Sequence, residues 1–335
     1  MNSHDKALPL VTAAVICYNH ARFVVEALES VKSQAYPNLH LVVIDDCSKD
    51  DSVEVIQRWL NRHWPDSEFV AHKTNMGVCR TVNDALAHAK GKYLRFLAAD
   101  DRWVPNTLTP QVEFMECLSE DVGVVYSDAY QIDESGELLP KMFIEAHRPL
   151  ANKPSGWIFD TLIDGNFIPA MTAVIRLCCF ETVGRYDESL VFEDWDMWLR
   201  LSRQFKFEYF PVPIAEYRVV GTSMVRTLSP EIRASEDRIL VKCLRRGWVT
   251  GRKKKTISHS AYMEAYRAYR QRLPGRVSEA VLAFRCRVCP KHALLLLCVV
   301  IRLPHRRFEK LVHLLSDLKH NAKPPRISDE PYREH

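Results

Sequence analysis

The strongest constraint on this chain is an alternation. From Leu10 to Tyr126, short apolar runs (Leu10–Ile16, Leu39–Ile44, Phe69–His72, Tyr93–Leu97 and Val122–Tyr126) are separated by segments whose apolar residues recur at helical spacing. Ala21–Gln34 puts Phe23, Ala27, Leu28 and Val31 on one face, and the segment opened by Asp50-Asp51-Ser52 does the same with Val53, Ile56 and Leu60. Val78–Ala89 and a segment opened by Pro105 and ending at Leu118 complete the set. Strands alternating with helices of this length predict an α/β domain with a largely parallel sheet and helices on its faces. In such sheets ligands bind beyond the carboxyl ends of the strands. Two of the runs end there in adjacent aspartates, Asp45-Asp46 and Asp100-Asp101, so that edge is where chemistry is expected.

The pattern weakens from Asp128 to about Gly165, which reads as loops or a small insertion. A strand over Phe167–Ile175, a helix over Asp194–Ser202 and extended pieces within Lys206–Tyr217, broken at Pro211 and Pro213, come next. Beyond Met224 the chain turns basic and helical. Met1–Val225 carries 21 Lys and Arg against 32 Asp and Glu, a net charge of −11, whereas Arg226–His335 carries 25 against 10, a net of +15. This asymmetry predicts two regions, residues 1–225 and 226–335. An acidic body that takes an anionic ligand needs a local cation, and a basic segment suits an acidic partner, either nucleic acid or an anionic membrane surface.

Several classes are excluded. The 11 glycines include no Gly-x-Gly, which removes the glycine-rich dinucleotide fingerprint, and no Gly-Lys-Ser/Thr occurs, which removes the P-loop. Ten scattered cysteines, no Asn-x-Ser/Thr sequon and a polar start at Met1–Lys6 point to free thiols in a reducing cytoplasm. The longest apolar run, Ala293–Ile301, would reach about 13.5 Å as a helix, short of the roughly 30 Å hydrocarbon layer.

Three carboxylate groups carry the chemical signal. Asp100 and Asp101 would repel each other unless a hard divalent cation sits between them and a diphosphate; the alternative is that one of them caps the next helix. Asp45-Asp46 offers an acceptor for the N–H of a pyrimidine base, with Tyr18 placed to stack on it, or else a cap or turn. Glu193, Asp194 and Asp196 alternate with Phe192, Trp195 and Trp198 at a helix start, where acids are favoured by the helix dipole but where one could also be a general base for a sugar hydroxyl. Cys286 and Cys289, with His292 nearby, look like half a zinc site, and no second Cys-x-x-Cys completes it.

The order and spacing of these groups resemble the inverting glycosyltransferase family 2, whose GT-A fold is a Rossmann-like, mostly parallel sheet flanked by helices. The matching pieces run from about Pro9 to Met224. They include Val15–Asn19, Ala27–Leu39, Val42–Asp50, Asn75–Val78, Asn83, Gly91–Tyr93, Phe96–Trp103, Gly184–Leu190 and Glu193–Leu201. The resemblance implies that Tyr18, Asp46 and Asp100 bind the donor nucleotide and that Asp100 and Asp101 hold Mn²⁺ or Mg²⁺ at its diphosphate. It implies Asp194 as the general base for displacement with inversion, with Glu193, Trp195 and Asp196 as acceptor or supporting contacts. The chain departs from the family where many members read Asp-Ala-Asp-Asp and this one reads Ala98-Ala99-Asp100-Asp101. It departs again where they read Tyr-Arg-x-His and this one has Tyr217-Arg218-Val219-Val220, and Cys47 stands where glycine is usual.

The implied activity is transfer of a sugar from a UDP- or dTDP-linked donor to a hydroxyl of a saccharide or lipid-linked saccharide, as in cell-surface polysaccharide assembly. A catalytically impaired sugar-nucleotide-binding scaffold and nucleic-acid binding by the basic region are the competing classes; no nucleic acid is expected, because that reading leaves the acid pairs idle. The basic region itself reads either as a packed helical subdomain or as an element that docks on the cytoplasmic face of an anionic membrane. The docking reading rests on a stripe of Phe308, Leu311, Val312, Leu315 and Leu318 flanked by Arg306, Arg307 and Lys310, with Arg252–Lys255 as a further basic cluster.

Overall fold

A computed structural model describes residues 8–221, 229–273, 276–286 and 289–312. The chain divides into two compact units, residues 1–232 and 233–335. In the first, β1 (Val11–Cys17), β2 (Leu39–Asp45), β3 (Glu68–Ala71), β4 (Tyr93–Ala98), β6 (Val122–Tyr126), β8 (Val174–Arg176) and β9 (Lys206–Tyr209) form a sheet in the order β3-β2-β1-β4-β8-β6-β9. All its pairings are parallel except those of β8, which is antiparallel to β4 and β6. A second sheet has the order β5-β10-β7, from β5 (Arg102–Trp103), β7 (Tyr130–Ile132) and β10 (Ala215–Arg218).

The apolar runs become central strands because helices cover them. Ala13, Val15, Leu41 and Val43 pack against Leu28 and Val31 of α1 (Val24–Lys32) and Ile56 and Trp59 of α2 (Ser52–His63). Val11, Tyr93 and Val125 pack against Leu108, Val112 and Met115 of α4 (Leu108–Glu116), while α3 (Val78–His88) lies against β1 and β2. Leu28 is fully buried, so its truncation to alanine would cost about 2–5 kcal/mol. Gly91 (φ 85) turns the chain into β4, and a β-carbon there would lie 2.4 Å from the Leu10 carbonyl oxygen.

Two sequence expectations change. Pro105 does not open a helix: it lies in a turn with Asn106 (φ 58), and α4 starts at Leu108. The cause is Gln34, whose Oε1 accepts the N–H groups of Thr107 (3.1 Å) and Leu108 (3.0 Å) and so caps the helix from another element. The strand expected over Phe167–Ile175 is realised only as β8, because Ala170–Thr172 forms a 3₁₀ turn whose Thr172 hydroxyl donates to the carbonyls of Pro169 (2.8 Å) and Ser127 (2.9 Å). Between these landmarks lie α5 (Phe143–His147), α6 (Phe159–Leu162), α7 (Cys179–Val183) and α8 (Asp194–Leu201).

The second unit is helical: α9 (Ser229–Arg245) enters it, followed by α10 (Gly251–Thr256), α11 (Ser258–Arg270), α12 (Arg276–Cys286) and α13 (Pro290–Val300). Phe308 is buried against Tyr266 (5.7 Å) and Tyr269 (5.8 Å), whereas Leu311 is exposed. Phe308 therefore belongs to this unit's core and not to an exposed stripe; Leu315 and Leu318 lie outside the described residues. His292 is buried, with its Nδ1 at 2.7 Å from Cys289 Sγ. Among the described residues no helix is long and apolar enough to cross a membrane.

Candidate active site

The strand order β3-β2-β1-β4 reverses direction between β1 and β4, the place where doubly wound sheets open a crevice. Register puts Cys17 beside Asp45 and Ile16 beside Ala98. Tyr18, Asp46 and Asp100, each just past a strand end, are thus brought to one sheet edge. Tyr18 is exposed there. The loops are tied together by short side chains: Asp45 accepts from the Ser48 N–H (2.8 Å) and hydroxyl, Asn19 N–H donates to Ser48 Oγ (2.8 Å), and Asn19 Oδ1 accepts the Lys49 N–H (2.7 Å). Cys47 has φ 64, a conformation that suits the glycine expected there from the resemblance; a side chain in it costs on the order of 1 kcal/mol.

Asp46 is buried and held on both oxygens. Oδ1 accepts from the Met76 N–H (2.7 Å) and His72 Nδ1 (2.9 Å), and Oδ2 accepts from the Gly77 N–H (2.8 Å). It therefore fixes the 72–77 loop and the start of α3, where Gly77 has φ 81.

Asp100 and Asp101 are treated differently. No helix comes directly after them; β5 does, so the capping alternative falls away. Asp101 is buried, with Oδ1 accepting the Arg218 N–H at 2.8 Å. Burial, and then the adjacent Asp100 charge, hold its carboxyl well above the usual carboxylate range. The nearby Arg218 guanidinium does not bond either carboxylate. It donates instead to the carbonyl oxygens of Asp100 (2.8 Å), Asp133 (3.2 Å) and Glu134 (3.3 Å) and to Glu26 Oε2 (2.7 Å). Two acids left in mutual repulsion fit a divalent cation. Among the described residues no three His, Cys, Asp or Glu side chains form a metal-binding group, so a cation held by this pair would complete its shell from substrate phosphate and water, as Mg²⁺ commonly does.

At α8 the acids also separate by environment. Asp196 is buried in an ion pair with Arg200 (2.8 Å), which also donates to the Val183 carbonyl (2.7 Å), and Trp195 Nε1 donates to the Leu162 carbonyl (2.8 Å). Both are occupied by the scaffold. Glu193 and Asp194 are half-buried with no cation against them among the described residues. Asp194 Oδ2 accepts from Asn166 Nδ2 (2.7 Å) and Oδ1 from the Trp195 N–H (2.6 Å). Burial raises Asp194 to about 6, and burial plus the Asp194 charge raises Glu193 to about 7. The segment leading to them is bound to α3: Asn83 Nδ2 donates to the Tyr186 carbonyl (3.0 Å), Arg80 pairs with Glu188 (3.0 Å), and Cys79 donates to the Leu190 carbonyl (3.3 Å).

Three residues of the site do not stand out in the sequence. His20 Nε2 lies 3.7 Å from Asp100 Oδ2, and its buried Nδ1 has no partner among the described residues; its place two residues past Tyr18 is the only local signal. Asn166 sits in a stretch of weak pattern, and no local spacing points to it. Arg218 precedes the departure at Val219-Val220, and its own role is set by strands distant in the chain. Of the positions that depart from the resembled pattern, Val220 is buried and Ala98 is exposed at the end of β4.

The model of the family described as "Glycosyl transferase family 2" matches residues 12–176. An uncharacterised glycosyltransferase of Rickettsia prowazekii is 24% identical over 68% of this chain and 70% of its own length. Against three further Rickettsia relatives the chain spans 28%, 32% and 59% of their length. An Escherichia coli UDP-Glc:alpha-D-GlcNAc-diphosphoundecaprenol beta-1,3-glucosyltransferase is 34% identical over 37% of this chain and 47% of its own. Among solved structures, a Pyrobaculum calidifontis mannosyltransferase with GDP-Man and Mn²⁺ superposes with TM-score 0.54 at 19% identity, covering 92% of this chain and 84% of that one. Residues 1–349 of Staphylococcus aureus TarS with UDP give 0.52 at 17% identity, covering 86% and 90%. At these identities the likeness is one of fold, and that fold is GT-A.

Proposed function

The chain belongs to glycosyltransferase family 2 through residues 12–176, and we propose that it is an inverting transferase moving a sugar from a UDP- or dTDP-linked donor to a hydroxyl of a saccharide or lipid-linked saccharide. The observation that carries this reading is the Asp100–Asp101 pair, whose carboxylates take no guanidinium or ammonium partner among the described residues, at the strand edge where the sheet order reverses. Support for the substrate class comes from the E. coli relative, whose name gives a UDP-sugar donor and a lipid-diphosphate acceptor, and from TarS structures that hold UDP and UDP-GlcNAc.

In this mechanism Tyr18 stacks on the base and Asp46 reaches it with the lone pairs left over from His72, Met76 and Gly77. Asp100 and Asp101 would hold Mn²⁺ or Mg²⁺, which when bound would supply charge to offset the departing diphosphate. Asp194, oriented by Asn166, takes the proton of the acceptor hydroxyl. The bond from the anomeric carbon to the new oxygen forms on one face as the bond to the phosphate oxygen breaks on the other, so the configuration inverts. A carboxylate near 6 is matched to this task at neutral pH, since it is ionised yet basic. Glu193 and Trp195 flank the acceptor side, and Asp196 holds the helix through Arg200. Residues 226–335, with their charge of +15, associate with an anionic membrane surface on its cytoplasmic face and so serve a lipid-linked acceptor. A second reading, a sugar-nucleotide-binding scaffold without turnover, is favoured only by Ala98 at the end of β4 and by Val220.

A thermal-shift series over nucleotide sugars, with and without Mn²⁺, tests the donor reading, because a ligand that binds only the native state raises its stability. A UDP- or dTDP-sugar should raise Tm only with the metal, and no shift with any donor would overturn the proposal. Slow donor hydrolysis is expected of the transferase and not of the scaffold.

A further inference from the structure

Two helix ends in the second unit meet at one cavity, and both break the usual rule for such ends. α9 closes in the ordinary way: Gly247 is left-handed (φ 69), its N–H donates to the Leu244 carbonyl (3.0 Å), and the Trp248 N–H donates to the Cys243 carbonyl (3.0 Å). α11 closes with the same two bonds, Arg272 N–H to the Tyr269 carbonyl (3.2 Å) and Leu273 N–H to the Ala268 carbonyl (2.9 Å). α13 repeats them, Arg302 N–H to the Val299 carbonyl (3.3 Å) and Leu303 N–H to the Cys298 carbonyl (2.9 Å). In both of these the left-handed residue is arginine, Arg272 at φ 55 and Arg302 at φ 57, in a position that normally falls to glycine because a β-carbon is disfavoured there.

Both arginines line a cavity of about 270 Å³, together with Arg276, Tyr269 and His305. The Tyr269 hydroxyl donates to the Leu303 carbonyl and so joins the two helix ends. Other arginines of this unit are matched by acids: Arg238 by Glu264, Arg245 by Glu279 and Arg267 by Asp237. Among the described residues no carboxylate pairs with Arg272, Arg276 or Arg302. Apolar side chains stand in solvent beside them: Leu273 and Val277 next to Arg272 and Arg276, and Val300 and Ile301 next to Arg302. Three guanidiniums without a carboxylate partner among the described residues, of which Arg276 donates only to the carbonyls of Arg272 (3.5 Å) and Leu273 (3.4 Å), thus line one cavity whose sequence neighbours are exposed aliphatic residues.

We propose that this cavity binds the headgroup phosphate of an anionic glycerophospholipid, with Leu273, Val277, Val300 and Ile301 entering the acyl boundary around it. Guanidinium forks suit phosphate oxygens bidentately, and an apolar rim with a cationic centre is the makeup of interfacial docking elements. The occupant rests on the reading of residues 226–335 as membrane-associating; the site does not, since the unpaired arginines remain whatever covers them.

The test is sedimentation of the full chain with vesicles of phosphatidylcholine alone or with phosphatidylglycerol. Wild type should bind only the phosphatidylglycerol vesicles. The triple change Arg272→Gln, Arg276→Gln, Arg302→Gln should lower that partitioning roughly a hundredfold, at about fivefold per basic residue at the surface. Removal of equal charge at Arg252, Lys253 and Lys254 should lower it less than about threefold, since these residues do not line the cavity. A triple change of the same arginines to lysine keeps the charge and should still lose about tenfold, because the fork is gone. Full binding by the lysine variant, or equal losses in the cavity and control variants, would overturn the site while leaving membrane association standing. No binding of wild type to phosphatidylglycerol vesicles would overturn the lipid proposal. If inorganic phosphate then raised the Tm of wild type but not of the glutamine variant, the cavity would be a site for soluble phosphate instead. Circular dichroism that matches wild type shows that a variant has folded.

Discussion

The ends of β2 and β4 look alike in sequence and are opposite in physics. Both present two aspartates after an apolar run. At β2 the protein supplies the partners: Asp45 is bonded by Ser48, and Asp46 by His72, Met76 and Gly77. At β4 it supplies less: Asp101 takes one N–H, from Arg218, and Asp100 has His20 at 3.7 Å, while the Arg218 guanidinium passes by to bond carbonyls and Glu26. The contrast recurs at α8, where Asp196 is matched by Arg200 while Glu193 and Asp194 face no cation among the described residues. A carboxylate whose charge the fold satisfies acts on stability, alongside any ligand contact such as the one proposed for Asp46, and one whose charge it leaves open acts chiefly on a ligand. Each class should fail in its own way.

The largest effect is expected at Asp194. Asp194→Asn keeps the shape and removes the base, so kcat should fall about 10²–10⁴-fold with donor affinity unchanged; steady-state kinetics beside donor titration separates the two. Near-normal turnover would move the base to Glu193, to be checked with Glu193→Gln. Next comes Asp196→Ala, which strands a buried Arg200 and should cost about 3–5 kcal/mol in urea unfolding. Asp46→Asn sets an amide donor against N–H groups and should cost about 2 kcal/mol by the same measurement.

A smaller effect comes from pH. Asp194 is raised in the folded state to about 6, so below that pH it is protonated and cannot accept a proton, and kcat should rise with pH through about 6. The same shift means the folded chain holds this proton more tightly than the unfolded chain. The stability it lends is present below about pH 4, near the ordinary aspartate value, and is lost as pH rises through about 6. Between pH 4 and pH 8 Asp194→Asn should therefore lose less stability than wild type, by on the order of 1 kcal/mol after allowance for solvent at this half-buried site, whatever the substitution costs at pH 4. Equal losses in the two proteins over that range would contradict the raised value.

The alternation of apolar runs and helical faces is enough to read the parallel core, because β1, β2 and β4 are buried along most of their length and carry mainly apolar sequence, broken only by Thr12, His40 and Arg95 ahead of the terminal residues. The aspartate pairs are visible for the same reason, as abrupt ends to those runs. The difference between the pairs is not visible, because it depends on partners 26 to 31 residues away for Asp46 and 117 away for Asp101. Gln34 as the cap of α4 and Asn166 as the partner of Asp194 are hidden for that reason too. Pro105 misleads because a proline before a helix fits a first turn as readily as the turn that precedes it.

The central claim is that the acids at the end of β4 are left open for a metal-bound diphosphate, and calorimetric titration of UDP with and without Mn²⁺ tests it most directly. Wild type should bind UDP at least about tenfold more tightly with Mn²⁺, about 1.4 kcal/mol. Asp101→Asn, which keeps an acceptor for the Arg218 N–H, should fold and lose that gain. Equal UDP affinity in EDTA and in Mn²⁺, or a metal-dependent gain that survives Asp101→Asn, would contradict the claim.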